Sequence, residues 1–216
     1  MKAWVLAMLL GAAGPAAAGP LSDLLMAPGL LADAPEGEVF RYVHNRRLPG
    51  QAAGSEPAGA AIGIAPPDTV VDGRAVLSIA PGTGGPVMVL TLGTGGDMKT
   101  VAEFPARGPN PMLLFFLENV VRNGVIQTGG SPYYIRNRIR DALVAADLGT
   151  DQDGRSVVVL HPFANDPNRA RMGDFGALTL TLDYDSADPG RLVELLADTG
   201  SGTSGYSETL KLTPEE

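Results

Sequence analysis

Leu178-Thr179-Leu180-Thr181-Leu182-Asp183-Tyr184 alternates an apolar residue with a polar one along its whole length. Successive side chains of a β-strand point to opposite faces, so this stretch predicts a strand with one face in a core and the other in water. A sheet with a wet face is normally antiparallel, because parallel sheets are covered on both sides by crossover helices. It belongs to a strand pattern over 175–185, and others lie on either side of it, over 155–163, 191–197 and 206–212.

The N-terminal half repeats the pattern. From Glu38, the residues Phe40, Tyr42 and His44 alternate with Arg41, Val43 and Asn45. Further strands are predicted over 70–80 (Ala75, Leu77, Ile79), 86–92 (Met88, Leu90, Leu92) and 97–104 (Met98, Thr100, Ala102, Phe104). The turns between them are Pro81-Gly82-Thr83-Gly84-Gly85 and Gly93-Thr94-Gly95-Gly96, the composition of antiparallel hairpins. Residues 48–66 carry Pro, Gly, Ala and Ser without period and read as a loop.

Two helices separate the two groups of strands. Asn110-Pro111 offers an N-cap followed by proline at the first helical position, and Asn123-Gly124 offers a stop. Ser131-Pro132 repeats the start, with a helix expected to about Leu148. No βαβ alternation appears, so a doubly wound parallel sheet is not expected. The reading is one α+β domain over 38–216, with a helical insertion at 110–148. Its about eight mostly antiparallel strands form a curved sheet or half-barrel around two central helices, about 111–123 and 132–148.

Ahead of the domain, residues 1–18 have the form of a signal peptide: Lys2, an apolar run from Ala3 to Ala13, and Ala16 and Ala18 at −3 and −1 of a cut before Gly19. The run is shorter than the roughly 20 residues that span a bilayer. The expected location is therefore periplasmic or secreted, without stable membrane insertion. Residues 19–37 read as a flexible N-terminal arm in which a short helix around Leu21–Met26 would be stopped by Pro28-Gly29. There is no cysteine, hence no lipid anchor on a cysteine and no disulfide. The formal charge of −8 becomes −9 when Lys2 leaves with the signal, which argues against nucleic acid as a partner.

Familiar chemical motifs fail on inspection. Gly93 to Thr100 resembles a phosphate-binding loop, but Met98 stands where glycine should precede the lysine, and a hairpin turn accounts for it. Asp151-Gln152-Asp153-Gly154 would place Gly149 and Leu160 at the two strongest ligand positions of a calcium loop. Asp185 to Gly190 fails likewise and makes a Pro-Gly turn. His44 and His161, the only histidines, lack metal-ligand spacing, and Gly202-Thr203-Ser204-Gly205-Tyr206 misses the nucleophile-elbow pattern. No catalytic residue, metal site or cofactor is expected.

The insertion is the remaining candidate. Its first helix is apolar nearly all round, the mark of a buried helix. In its second helix, Ile135, Ile139, Ala142, Leu143 and Ala146 share a face that Arg138 borders, whereas Arg140 points away. The candidate site is a pocket with Phe115 and Phe116 as floor and Tyr133, Tyr134 and Arg138 as rim, suited to an amphiphile or to a partner segment. The strand–helix–strand layout resembles the curved-sheet carriers of the bacterial envelope that shelter lipid chains, a likeness of fold and not of residues. Two functions follow as expectations: a non-enzymatic carrier of an apolar or amphiphilic molecule, or an adaptor that docks an envelope protein through 110–148. A hydrolase ranks last, because no nucleophile and base can be paired.

Overall fold

The computed structural model describes residues 19–50, 67–200, 202 and 205–214. The signal-peptide reading of 1–18, most of the 48–66 loop and Thr203-Ser204 lie outside the described residues. The chain forms one α+β domain: nine antiparallel strands in a single curved, unclosed sheet, with helices whose apolar side chains share one core with those of the strands. The strands are β1 (Gly37–Arg47), β2 (Val70–Ala80), β3 (Val87–Thr94), β4 (Asp97–Pro105), β5 (Thr150–Gln152), β6 (Arg155–Leu160), β7 (Thr179–Asp185), β8 (Leu192–Asp198) and β9 (Ser207–Leu212). The helices are α1 (Pro20–Leu25), α2 (Pro111–Thr128) and α3 (Pro132–Ala145).

Spatial order is β4-β3-β2-β1-β9-β8-β7-β6-β5, so two meanders meet where β1 pairs with β9. The two free edges are β4 and β5, and the chain passes between them through α2 and α3. The helical insertion therefore crosses the mouth of the curved sheet. Inward side chains of the strands meet α2, of whose eighteen residues eleven are buried.

The extra strand, β5, is the short partner of β6 in a hairpin whose turn puts Asp153 (φ 55°) and Gly154 (φ 80°) in the left-handed region. That conformation suits the Asp-Gly pair. The Gly-rich segment before Asp97 is likewise a hairpin turn between β3 and β4.

Gly124 does not stop α2. The helix continues to Thr128, and the left-handed residue that ends it is Gly129 (φ 65°), whose N–H bonds the Val125 carbonyl at 2.8 Å. Gly124 is needed for a different reason. A β-carbon there would stand 2.6 Å from two ring atoms of Phe175, so glycine lets that buried ring close on the helix. Phe175 belongs to a 3₁₀ segment over Arg169–Ala177, where a strand was expected from 175. The preceding strand ends at Leu160, before Pro162, which has no N–H for the ladder. Helix α3 stops at Ala145, because Ala146 is already extended (φ −86°, ψ 140°) on the way to β5.

The expected arm, residues 19–37, contains α1 and places Leu21, Leu25 and Leu31 in the core. The Gly29 N–H bonds the Gly108 carbonyl at 3.0 Å, tying this stretch to the loop before α2. No helix among the described residues is long and apolar enough to cross a membrane.

Candidate functional site

The five residues singled out in the insertion go to different places. Phe116 is fully buried in the core. Phe115, next to it on α2, is half-buried and stands edge-on to His44 of β1, with ring centroids 5.6 Å apart. Tyr133 is 74% exposed at the start of α3. Only Tyr134 and Arg138 come together, and what joins them is Asp166.

Asp166 lies in the loop after β6, and its carboxylate is fully covered. Tyr134 donates its hydroxyl to it at 2.7 Å, Arg138 Nε at 2.8 Å and the Asn168 N–H at 2.7 Å, while the Arg138 guanidinium lies 5.2 Å from the centre of the Tyr134 ring. Burial pushes the Asp166 carboxyl up, but these hydrogen bonds, with Tyr134 first, outweigh it and hold it below its ordinary value. Arg138 is thus occupied in fastening α3 to the loop. Arg140, by contrast, reaches only its neighbour Asp141.

A second polar cluster was not anticipated. Glu208 of β9 is completely buried and accepts five hydrogen bonds: from His44 Nε2 (2.9 Å), Arg46 Nε (3.0 Å), Arg46 Nη2 (2.8 Å), Asn119 Nδ2 (2.9 Å) and the Tyr206 hydroxyl (2.8 Å). Asn123, one helical turn beyond Asn119, donates to the Asn119 carbonyl at 2.9 Å. Burial raises the Glu208 carboxyl, yet the bonds from His44 and Arg46 and the Arg46 charge prevail and keep it lowered. Burial and the adjacent Glu208 push the Tyr206 phenol well above its usual value, so it remains a donor. The signal for this cluster was present in the sequence. His44, Arg46 and Glu208 fall at inward positions of their strands, and Asn119 and Asn123 interrupt an otherwise apolar helix at i, i+4. An ionised carboxylate with this many partners is a structural tie between α2 and the sheet.

Among the described residues no group of three or more His, Asp or Glu could hold a metal ion. A hollow lies elsewhere, at the rim of the sheet, where strand lengths differ. β9 ends at Leu212, opposite Tyr42, while β1 runs back to Gly37, so the first part of β1 has no strand on that side. The Tyr42 hydroxyl spans the break to the Leu192 carbonyl at 3.0 Å.

The resulting groove has a volume of about 1290 Å³. Val39, Val43, Val76, Met98 and Leu212 are among its apolar walls, and three arginines (Arg41, Arg74, Arg191) and two aspartates (Asp33, Asp188) line it. Arg41, Val43, Arg74 and Val76 alternate with buried Phe40, Tyr42, Ala75 and Leu77, which places these four on the outer face of the sheet. No family model matches the chain, and neither does any curated protein.

Proposed function

We propose that the chain is an exported binding protein that works without covalent chemistry and takes an apolar or amphiphilic molecule in the groove at the rim of the sheet. The observation that carries this reading is the groove itself. It is larger than the roughly 300–1000 Å³ of ordinary ligand pockets, and it combines apolar walls with a few charged side chains, as sites for amphiphiles do. A non-enzymatic role is supported by the two most unusual carboxylates, Glu208 and Asp166, whose acceptor sites are taken by neighbouring protein donors. Export is supported by Lys2, the apolar run and the Ala16/Ala18 spacing. Native mass spectrometry of the protein purified from the cell envelope tests the binding, and N-terminal sequencing tests the cut before Gly19.

An adaptor function through the helical segment is the second reading. It is favoured by the filled concave side, where Phe116 occupies the space a carrier would leave open, and by Tyr133 standing exposed on α3. A protein that crosslinks to a partner through a photoreactive group at Tyr133, and retains no small molecule, would be the adaptor.

A further inference from the structure

We infer that the groove selects its ligand by an anionic head group, carboxylate or phosphate, held at Arg74 with Arg41 beside it; this rests on the binding role proposed above. The register of β1 and β2 carries the argument. Arg41 pairs with Val76 and Val43 with Arg74, so these four residues form a quadrilateral on the outer face. The arginines occupy one diagonal and the valines the other. Diagonal positions of an antiparallel pair lie roughly 7–8 Å apart, close enough for the Arg41 charge to act on an anion held at Arg74.

Arg74 is exposed, and among the described residues no hydrogen bond or ion pair engages its side chain. Arg41 already has an interaction within the protein. Arg74 is therefore the donor left for a ligand, and a planar guanidinium can give two parallel hydrogen bonds to a carboxylate or phosphate.

The neighbouring strands supply an apolar surface next to this charge. Arg74 pairs with Gly93, and Gly93 with Met98. A β-carbon on Gly93 would lie 2.8 Å from the Met98 sulfur, so the Met98 thioether rests over the glycine and reaches toward Arg74. Val43, Val76 and Met98 thus form an apolar strip beside the guanidinium. The charge of the lining agrees. The chain as a whole is acidic, at −8, yet the groove holds three arginines to two aspartates. One of those aspartates, Asp188, already accepts from the Gly190 N–H within its own turn. An anion next to an apolar chain matches this surface; a cation or a sugar does not.

The test is equilibrium binding of hexadecanoate, hexadecyl phosphate and uncharged hexadecanol to the purified full chain. Both anions should bind, hexadecanol should bind about tenfold or more weakly, and Arg74→Gln should weaken the anions by about tenfold or more, as loss of a charge-assisted hydrogen bond does. Arg140→Gln on α3 should leave binding within about twofold. Inorganic phosphate at millimolar concentration should not displace hexadecyl phosphate; displacement would mean that the site takes the free anion and would overturn the amphiphile. Equal binding of hexadecanol and hexadecanoate, or no effect of Arg74→Gln, would overturn the head-group inference while the groove reading stands. The groove reading itself fails if none of the three binds, or if Val76→Trp (Met98→Trp, should the first not fold) leaves binding unchanged. The head-group inference then falls with it.

Discussion

β1 carries charge on both faces, and the two faces treat it in opposite ways. His44 and Arg46 point inward and donate to the buried Glu208 carboxylate, which Asn119 and the Tyr206 hydroxyl also reach. Arg41 points outward, beside an Arg74 that has no protein partner among the described residues. A single step along a strand reverses the face, so one residue of register decides whether a side chain meets Glu208 or faces the groove. The inner cluster fixes the helix in the sheet. On the outer face, Arg74 is the side chain proposed to meet a ligand.

If the inner cluster is structural, breaking it should cost far more than anything done outside. Glu208→Leu strands the buried Arg46 charge and should lose about 3–5 kcal/mol in denaturant melts. Adding Arg46→Met should recover much of that loss, since replacing both partners by apolar groups is frequently neutral. A loss below about 1 kcal/mol for Glu208→Leu would mean that the tie contributes little.

The filled interior makes a second contrast, between adjacent phenylalanines. Phe116→Ala should cost about 3–5 kcal/mol, and Phe115→Ala less than half as much, because Phe115 is only half-buried against His44. Equal losses would contradict the packing described for α2. Gly124→Ala comes next, at about 1–3 kcal/mol, since the new methyl would collide with the Phe175 ring.

Acid should separate the two regions as well. The Glu208 carboxyl is lowered in the folded state, so its contribution to stability is present above the ordinary carboxylate range near pH 4 and is lost as pH falls through the lowered value. The lowered Asp166 acts in the same direction. Thermal melts should thus show a midpoint that falls with acid below about pH 4, and the Glu208→Gln variant should show a flatter profile. The smallest effect belongs outside: Arg74→Gln should shift stability by less than about 0.5 kcal/mol, as surface substitutions do.

Much of the fold was legible because alternation was clear. Leu178 to Tyr184, Ala75 to Ile79 and Met88 to Leu92 are half-buried strands whose period is unambiguous, and Asn110-Pro111 and Ser131-Pro132 mark both helix starts. Helix ends were harder to read. Asn123-Gly124 has the composition of a stop, but a tertiary contact with Phe175, fifty-one positions away, is what requires the glycine. β5 is three exposed residues without an apolar face, so no period could mark it.

The site was less legible than the fold. Tyr134 and Arg138 are near one another on α3, but their meeting point is Asp166, in a loop whose position depends on the whole sheet. The groove depends on β9 ending five residues short of the start of β1, a mismatch that only strand pairing reveals. Arg41 and Arg74 lie thirty-three positions apart and become neighbours only through the β1–β2 register.

The most direct measurement is native mass spectrometry of the protein purified from the cells that make it, wild type beside Val76→Trp. The groove account predicts that wild type carries one amphiphile and that the variant, still folded by its melting curve, arrives without it. Wild type with no adduct, or an adduct retained equally by the variant, would contradict the account and return the helical face around Tyr133 as the place to look.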